Sequence, residues 1–304
     1  MLVFATSDKG GTGRSVTSCN IAHRLTLAGR NVAYVDFDFG SPTAGALFEI
    51  DGYERGVKTG GGMHSYLLGR TGEALRLEVG PATQRVEFKR AAQRAGRLFL
   101  FPGDEGGADL LTTNDGVVQR CAALLANLAS EFHVVIVDLS AGRTGALDVA
   151  LRATAQGPLR GTTARWLVFH RWTRQHILAA AGLVYEQHGL LDLGVQCGHD
   201  RARLLGATRF VRTAVPVSPG QVGAERGAQA AWLQAQDEVL RRLAAANKVG
   251  KTKVLGITPI EPILLWREQV ILDNDINAHI ANPETVAAYQ ELARRLVDDA
   301  AWEV

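Results

Sequence analysis

The start of the chain constrains the fold more than any other segment. A short apolar run, residues 2–6, leads directly into Ser7-Asp8-Lys9-Gly10-Gly11-Thr12-Gly13-Arg14-Ser15, and a segment with helical spacing follows. Glycines bend the backbone tightly and bring N–H groups close to a phosphate chain, while the N-terminal end of a helix attracts anions. The order strand, glycine loop, helix therefore predicts a phosphate-binding loop in an α/β sheet.

Two side chains after the last glycine extend this prediction. The cationic side chain of Arg14 is placed to contact the β and γ phosphates, and the Ser15 hydroxyl is a candidate ligand for a bridging Mg²⁺. The general pattern G-x-x-x-x-G-K-[ST] has lysine where this chain has Arg14 and glycine where it has Asp8. The segment thus predicts a nucleoside triphosphate site that departs from the general pattern; a plain glycine-rich turn is the alternative.

Two carboxylates follow the next apolar run. Residues 31–35 are typical of a parallel strand buried on both faces, and Asp36 and Asp38 come directly after it. Side chains two apart project to the same side, at the strand end where open α/β sheets bind ligands. We expect one carboxylate to lie beside Mg²⁺ and the other to orient the attacking water, because phosphoryl transfer depends on positioning. A solvated acidic turn is the alternative.

A third carboxylate ends the strongest predicted strand. Residues 133–137 are apolar apart from His133, and Asp138 follows them. A hydrophobic strand that ends in a carboxylate beside a metal is a Walker B pattern. The predicted Mg²⁺ ligands are therefore Ser15, Asp138 and one of Asp36 and Asp38. A buried strand that ends in aspartate by chance is the alternative.

These motifs together resemble the ParA/MinD family of P-loop ATPases. Residues 9–15 match its deviant motif K-G-G-x-G-K-[ST] at every position except Arg14. Residues 34–40 resemble the family's V-I-D-x-D-x-G, and residues 138–142 resemble its D-S-P-A-G. The resemblance implies a doubly wound, mostly parallel α/β sheet flanked by helices, the SIMIBI type of P-loop NTPase, with ATP and Mg²⁺ as cofactors.

The resemblance also implies roles for individual residues. In the family the first lysine of the loop, here Lys9, reaches across a dimer interface to the phosphates of the other subunit, which implies an ATP-dependent homodimer. Asp38 corresponds to the water-orienting residue, so the predicted catalytic residues are Lys9, Arg14 and Asp38. By the same comparison Asp36 is the carboxylate beside Mg²⁺, and the implied metal ligands are Ser15, Asp36 and Asp138. The late segment 253–259 resembles a strand and turn that approach adenine. The predicted nucleotide-binding residues are Gly10, Gly11, Thr12, Gly13, Arg14, Ser15, Val16 and Pro259.

The remaining elements are predicted from apolar spacing and from glycine and proline. Further strands are predicted at 97–103, 165–169 and 208–215; helices at 16–28, 117–128, 228–245, 266–272 and 284–297; and a glycine-rich loop at 218–227. The basic, aromatic segment 170–176 should lie at the nucleotide edge of the sheet. It either contacts a partner, an acidic ligand or nucleic acid, or contains a half-buried Trp172 flanked by solvated arginines.

Bulk properties limit the cellular setting. With 304 residues and 46% hydrophobic content, we expect one domain spanning residues 1–304. A net charge of +2 gives no broad attraction to nucleic acid or membrane, and no run of about 18 apolar residues predicts a membrane span. The acidic segment 298–304 does not match the family's basic membrane helix, so a membrane partner is not expected. The predicted location is the cytoplasm.

Three functional hypotheses follow. The leading one is a dimerising ATPase with slow turnover that binds or positions an unidentified protein partner according to its nucleotide state. The second is a nucleotide-binding scaffold with little or no hydrolysis, because exchanging lysine for Arg14 in a tight phosphate cradle is not conservative. The third is a DNA-associated partitioning protein that uses arginine clusters at positions 201, 203, 209 and 212.

Overall fold

An eight-stranded sheet forms the centre of the molecule. The computed structural model describes residues 1–58, 60–93, 95–108, 110, 113–216 and 227–303. The strand order is β3-β4-β2-β5-β1-β6-β7-β8, and every pairing is parallel except that of β3 with β4. The strands are β1 Leu2–Thr6, β2 Val32–Phe37, β3 Leu77–Glu78, β4 Leu98–Phe101, β5 Val134–Leu139, β6 Ala164–Arg171, β7 Thr208–Val215 and β8 Val254–Pro259.

Helices cover both faces of this sheet, which confirms the predicted doubly wound α/β fold. They are α1 Arg14–Leu27, α2 Ala44–Leu47, α3 Met63–Leu67, α4 Val79–Ala82, α5 Val86–Ala92, α6 Asp115–Glu131, α7 Gly145–Thr154, α8 Arg174–Tyr185, α9 Leu190–Gln196, α10 Arg201–Gly206, α11 Gly227–Ala246, α12 Asp273–Asn277 and α13 Pro283–Val297. Short 3-10 turns occupy Gly157–Leu159, Lys251–Lys253, Pro262–Leu265 and Asp299–Ala301. None of the helices in the described part of the chain combines the length and apolar character needed to cross a bilayer.

Burial on both faces explains the continuous apolar runs of the central strands. Every residue of β1, β2 and β5 is buried. Alternate residues enter opposite cores: Phe4 and Val137 pack on one side of the sheet, and Val3 and Ile136 on the other. Such strands contain apolar side chains at consecutive positions, because neither face meets solvent. The polar residues are therefore concentrated at the strand ends.

Strand register brings the predicted site residues to one edge. β1 lies between β5 and β6, and β2 lies beside β5. Asp36 and Asp138 are direct partners across the β2–β5 pair. Ala5 is paired with Asp138, one residue before β1 ends and the glycine loop begins. The loop and the acidic strand ends consequently share the carboxyl edge of the sheet.

The predicted helix at 266–272 is wrong. Residues 266–272 form no helix; Val270, Ile271 and Leu272 follow one another as buried residues, whereas Trp266 is 93% exposed. The Asn20 side chain donates to the carbonyl of Gln269 and accepts from the N–H of Ile271, as an adjacent strand would. This side chain therefore satisfies the backbone groups of a non-helical segment. Of the predicted glycine-rich loop at 218–227, only residue 227 lies within the described residues.

A buried histidine predicts how stability depends on pH. His23 in α1 is 2% exposed, and its Nδ1 has no hydrogen-bond partner within the described residues. Burial, together with repulsion from Arg24 and Arg85, lowers the pKa of His23 from 6.5 to about 3. Between these values the unfolded chain binds more protons than the folded one, so stability is complete above the unfolded pKa and falls as the solution becomes more acidic.

We therefore expect wild type to lose about 2 kcal/mol more unfolding free energy than His23→Gln between pH 8 and pH 5. Urea unfolding of both proteins at the two pH values measures this difference. Glutamine does not titrate in this range, so other acidic and basic groups cancel in the comparison. An equal loss in both proteins would contradict the prediction.

Candidate phosphate-binding site

The glycine loop between β1 and α1 forms an open backbone cradle. Gly11 and Gly13 have φ of 68° and 72°, the left-handed region that favours glycine. A methyl group added at Gly10 or Gly11 would meet no atom within 4 Å, so the backbone at these positions is accessible to a ligand. Gly13 is the N-cap of α1 and supplies no side-chain cap. The N–H groups of the loop and first helical turn are therefore suited to an anion.

The predicted interfacial lysine lies at the rim of this cradle. Lys9 is exposed, and it forms no ion pair with any residue in the described ranges. Its neighbour Asp8 instead accepts from Arg143, at 3.2 Å. Lys9 is thus available to a ligand or to a second molecule.

Arg14 points into the interior. It is 6% exposed; its Nε donates to Asp138 Oδ1 at 2.5 Å, and its Nη2 donates to Asp38 Oδ2 at 2.7 Å. Longer contacts of 3.4 Å reach the hydroxyls of Ser7 and Ser15. Burial disfavours the charged guanidinium, but the charges and hydrogen bonds of Asp138 and Asp38 outweigh it and raise the pKa of Arg14. The side chain is a permanent cation between two carboxylates.

The second oxygen of Asp138 and both oxygens of Asp36 also have donors. Tyr34 donates its hydroxyl to Asp138 Oδ2 at 2.8 Å. Asp36 accepts from the backbone N–H of Asp38 at 3.1 Å and from that of Ala44 at 3.3 Å. Burial and the neighbouring charges of Asp138 and Asp38 raise the pKa of Asp36 well above its usual range. Burial likewise raises the pKa of Asp38, although Arg14 opposes this. The site is crowded with negative charge and stabilised by Arg14.

A cavity of about 220 Å³ adjoins the loop. It brings together Gly11, Gly13, Val16, Thr213, Pro259 and Tyr289. Two predicted nucleotide-binding residues that are 243 positions apart, Val16 and Pro259, therefore line one space beside the phosphate cradle. The size and position of this cavity suit a nucleobase.

The two implied cofactors fit this site differently. The open glycine backbone, the uncapped helix N-terminus and the adjoining cavity fit a nucleoside triphosphate. Mg²⁺ does not fit this arrangement, because Arg14 lies between Asp38 and Asp138 and the oxygens of Asp36 accept from backbone N–H groups. Within the described ranges, no group of three His, Cys, Asp or Glu residues is arranged to hold a metal.

The structure brings every predicted site residue to this edge, although their individual roles stay predictions. It also adds residues that the sequence analysis missed. Tyr34 contacts Asp138, Ser7 contacts Arg14, and Thr213 donates its hydroxyl to the carbonyl of Thr12. Tyr34 was detectable, since it lies two positions before Asp36 and therefore on the same face of β2. Thr213 lies on β7 and has no sequence signal that connects it to the loop.

The arginine cluster considered for DNA binding and the basic segment 170–176 are both partly buried. Of the four arginines considered for DNA binding, Arg209 and Arg212 are buried and donate to backbone carbonyls, and only Arg201 and Arg203 are exposed. The cluster therefore does not form a single basic face, because both faces of β7 are packed. In segment 170–176, Trp172 is buried and donates to Asp237. Of the two interpretations of this segment, the one with a packed Trp172 flanked by solvated arginines fits the structure better.

Comparison with known families decides the classification. The family profile CbiA, described as "CobQ/CobB/MinD/ParA nucleotide binding domain", matches residues 3–259. The chain belongs to this family. The match begins in β1 and ends at the last residue of β8, so the matched range of this CbiA family member contains the glycine loop and all three acidic strand ends. The cavity beside the loop lies partly outside the range, because Tyr289 also lines it. Comparison with curated protein sequences gives no match.

Solved structures of MinD and ParA-type proteins share the fold. The MinC:MinD cell division complex of Aquifex aeolicus aligns with 19% identity and a TM-score of 0.58, covering 97% of this chain and 95% of that one. MinD of Pyrococcus horikoshii, complexed with Mg-ADP, aligns with 16% identity and a TM-score of 0.53, covering 99% of this chain and 98% of that one. A putative plasmid partition protein of Borrelia burgdorferi, bound to AMPPNP, aligns with 14% identity and a TM-score of 0.53, covering 97% of this chain and 98% of that one. These similarities show a common fold for the CbiA family member.

Proposed function

We propose that this protein is a nucleotide-dependent dimerisation switch with slow ATP turnover. ATP binds in the glycine loop, Lys9 of each copy contacts the phosphates held by the other, and hydrolysis releases the dimer. A protein partner is then bound or positioned according to the nucleotide state. The γ-phosphate supplies the difference in contacts that any two-state device of this kind requires.

One observation carries the proposal: Lys9 is exposed at the rim of an open glycine cradle and forms no ion pair with the residues that the structure describes. Lys9 precedes the turn, whereas the cation after the turn, Arg14, is committed to Asp38 and Asp138. The charge available to a triphosphate at the loop surface therefore comes from Lys9. The partner hypothesis has weaker support: relatives of the same fold include a MinD solved with MinC and a putative plasmid partition protein.

Sedimentation velocity with no nucleotide, with ADP and with AMPPNP tests the switch. We expect a monomer in the first two conditions and a dimer with AMPPNP. The same sedimentation coefficient in all three conditions would contradict the proposal. The measurement needs no turnover, so it reports on dimerisation even if hydrolysis is slow.

A nucleotide-binding scaffold without turnover is the second candidate, and one contact favours it. Arg14 Nη2 donates to Asp38 at 2.7 Å, and Asp38 is the residue predicted to orient the attacking water. A carboxylate held in this way is less available to a water molecule. Phosphate release by wild type and by Asp38→Ala separates the candidates. The switch predicts a slow rate that falls in the variant, whereas equal and negligible rates support the scaffold.

A further inference from the structure

The cation at the centre of this site is part of the chain. Arg14 contacts Asp138 at 2.5 Å, Asp38 at 2.7 Å and Ser15 at 3.4 Å. Two of these three, Ser15 and Asp138, are residues predicted to hold Mg²⁺. One guanidinium therefore lies where the predicted metal ligands converge.

The oxygens of Asp138 and Asp36 at this position each accept a hydrogen bond already. Asp138 accepts from Arg14 on one oxygen and from Tyr34 on the other. Both oxygens of Asp36 accept from backbone N–H groups. Mg²⁺ requires oxygen ligands in near-octahedral geometry, and here N–H and O–H donors compete with it for the lone pairs of these oxygens. The observed arrangement is complete without a metal.

The side chain at position 14 determines this arrangement. Arginine has a planar guanidinium whose nitrogens reach two carboxylates at once, and it is weakly hydrated and stays charged when buried. Lysine is a compact, strongly hydrated point charge and lacks the fork that bridges both carboxylates. The family motif that the loop resembles has lysine at this position, and this chain has Arg14.

We infer that Arg14 replaces the divalent cation at this site, so that the nucleoside triphosphate binds the glycine loop without Mg²⁺. Arg14 neutralises the acidic strand ends, and the loop N–H groups together with Lys9 provide the contacts to phosphate. The second half of this inference rests on the proposed function, whereas the first half concerns the carboxylates and Arg14 alone.

The first experiment uses Mn²⁺ alone as a paramagnetic probe, without nucleotide. Titration followed by electron paramagnetic resonance compares wild type, Arg14→Ala and Arg14→Lys, with circular dichroism as the check that each variant is folded. We expect wild type to leave the free-ion signal unchanged. We expect at least one folded variant to reduce it saturably, because Asp38 and Asp138 lose their shared cation. Equal Mn²⁺ binding by wild type and variants, or no binding by any folded variant, overturns the first half.

The second experiment measures ATP affinity by calorimetry in Mg²⁺ and in EDTA. For wild type we expect the two dissociation constants to agree within about twofold. Arg14→Lys should bind ATP at least about tenfold more weakly in EDTA than in Mg²⁺, because only in this variant are the carboxylates available to a metal that accompanies the phosphates. An equally large loss for wild type overturns the inference and leaves the proposed function intact. No ATP binding by wild type in either condition overturns the proposed function and the second half, and Mn²⁺ then decides the first half alone.

Discussion

Asp138→Ala is expected to lower the free energy of unfolding by about 3–5 kcal/mol, the range for removing one partner of a buried ion pair. Asp138 is 1% exposed and accepts from Arg14 Nε and from the Tyr34 hydroxyl. Alanine leaves a buried guanidinium with one carboxylate instead of two and leaves the Tyr34 hydroxyl without its acceptor. Urea unfolding at neutral pH measures the loss.

The matched control is an ion pair at the surface. Glu291 and Arg294 contact each other at 2.8 Å on α13, and both side chains are at least half exposed. Glu291→Ala should change the free energy of unfolding by less than about 1 kcal/mol, because exposed pairs contribute little. If the Asp138 variant is no less stable than this control, Asp138 does not hold Arg14 in the buried arrangement described here.

Lys9→Ala is expected to abolish AMPPNP-dependent dimerisation while the monomer keeps its stability. Lys9 is exposed and has no ion pair in the described ranges, so its removal exposes no buried charge and opens no cavity. The effect should therefore fall on the dimer, whose phosphate contact across the interface is lost. Sedimentation velocity with AMPPNP compares the variant with wild type, and thermal unfolding checks the fold.

Lys251→Ala provides the control for removal of a positive charge. Lys251 is also exposed, but it precedes β8 and therefore lies at the opposite edge of the parallel sheet. This variant should dimerise like wild type. If both variants dimerise normally, Lys9 makes no essential contact across the interface; if both fail, the loss reflects net charge instead of position.

The parts of the site that follow from local sequence were predictable. A buried parallel strand is a run of apolar residues, and the first polar residue after it marks the carboxyl edge of the sheet; Asp36, Asp38 and Asp138 were found in this way. The glycine loop is equally local, because Gly11 and Gly13 need left-handed backbone conformations that other residues rarely adopt.

Features that depend on distant partners were not predictable. The direction of Arg14 depends on Asp138, a residue 124 positions away that strand register brings beside Asp36. The non-helical segment around Ile271 depends on Asn20, 251 positions earlier. Arg209 is buried because backbone carbonyls, including that of Trp302, accept its guanidinium N–H groups. A single sequence contains no local pattern for any of these contacts.

The central claim is that a nucleoside triphosphate binds at the N-terminal glycine loop, and calorimetry with ATP on wild type and on Gly11→Val tests it most directly. Gly11 has a φ of 68° and an open backbone, so valine strains the loop and covers the cradle while leaving both cores untouched. We predict saturable heat of ATP binding for wild type and none for the folded variant. No heat for wild type, or the same affinity in both proteins, would contradict the account.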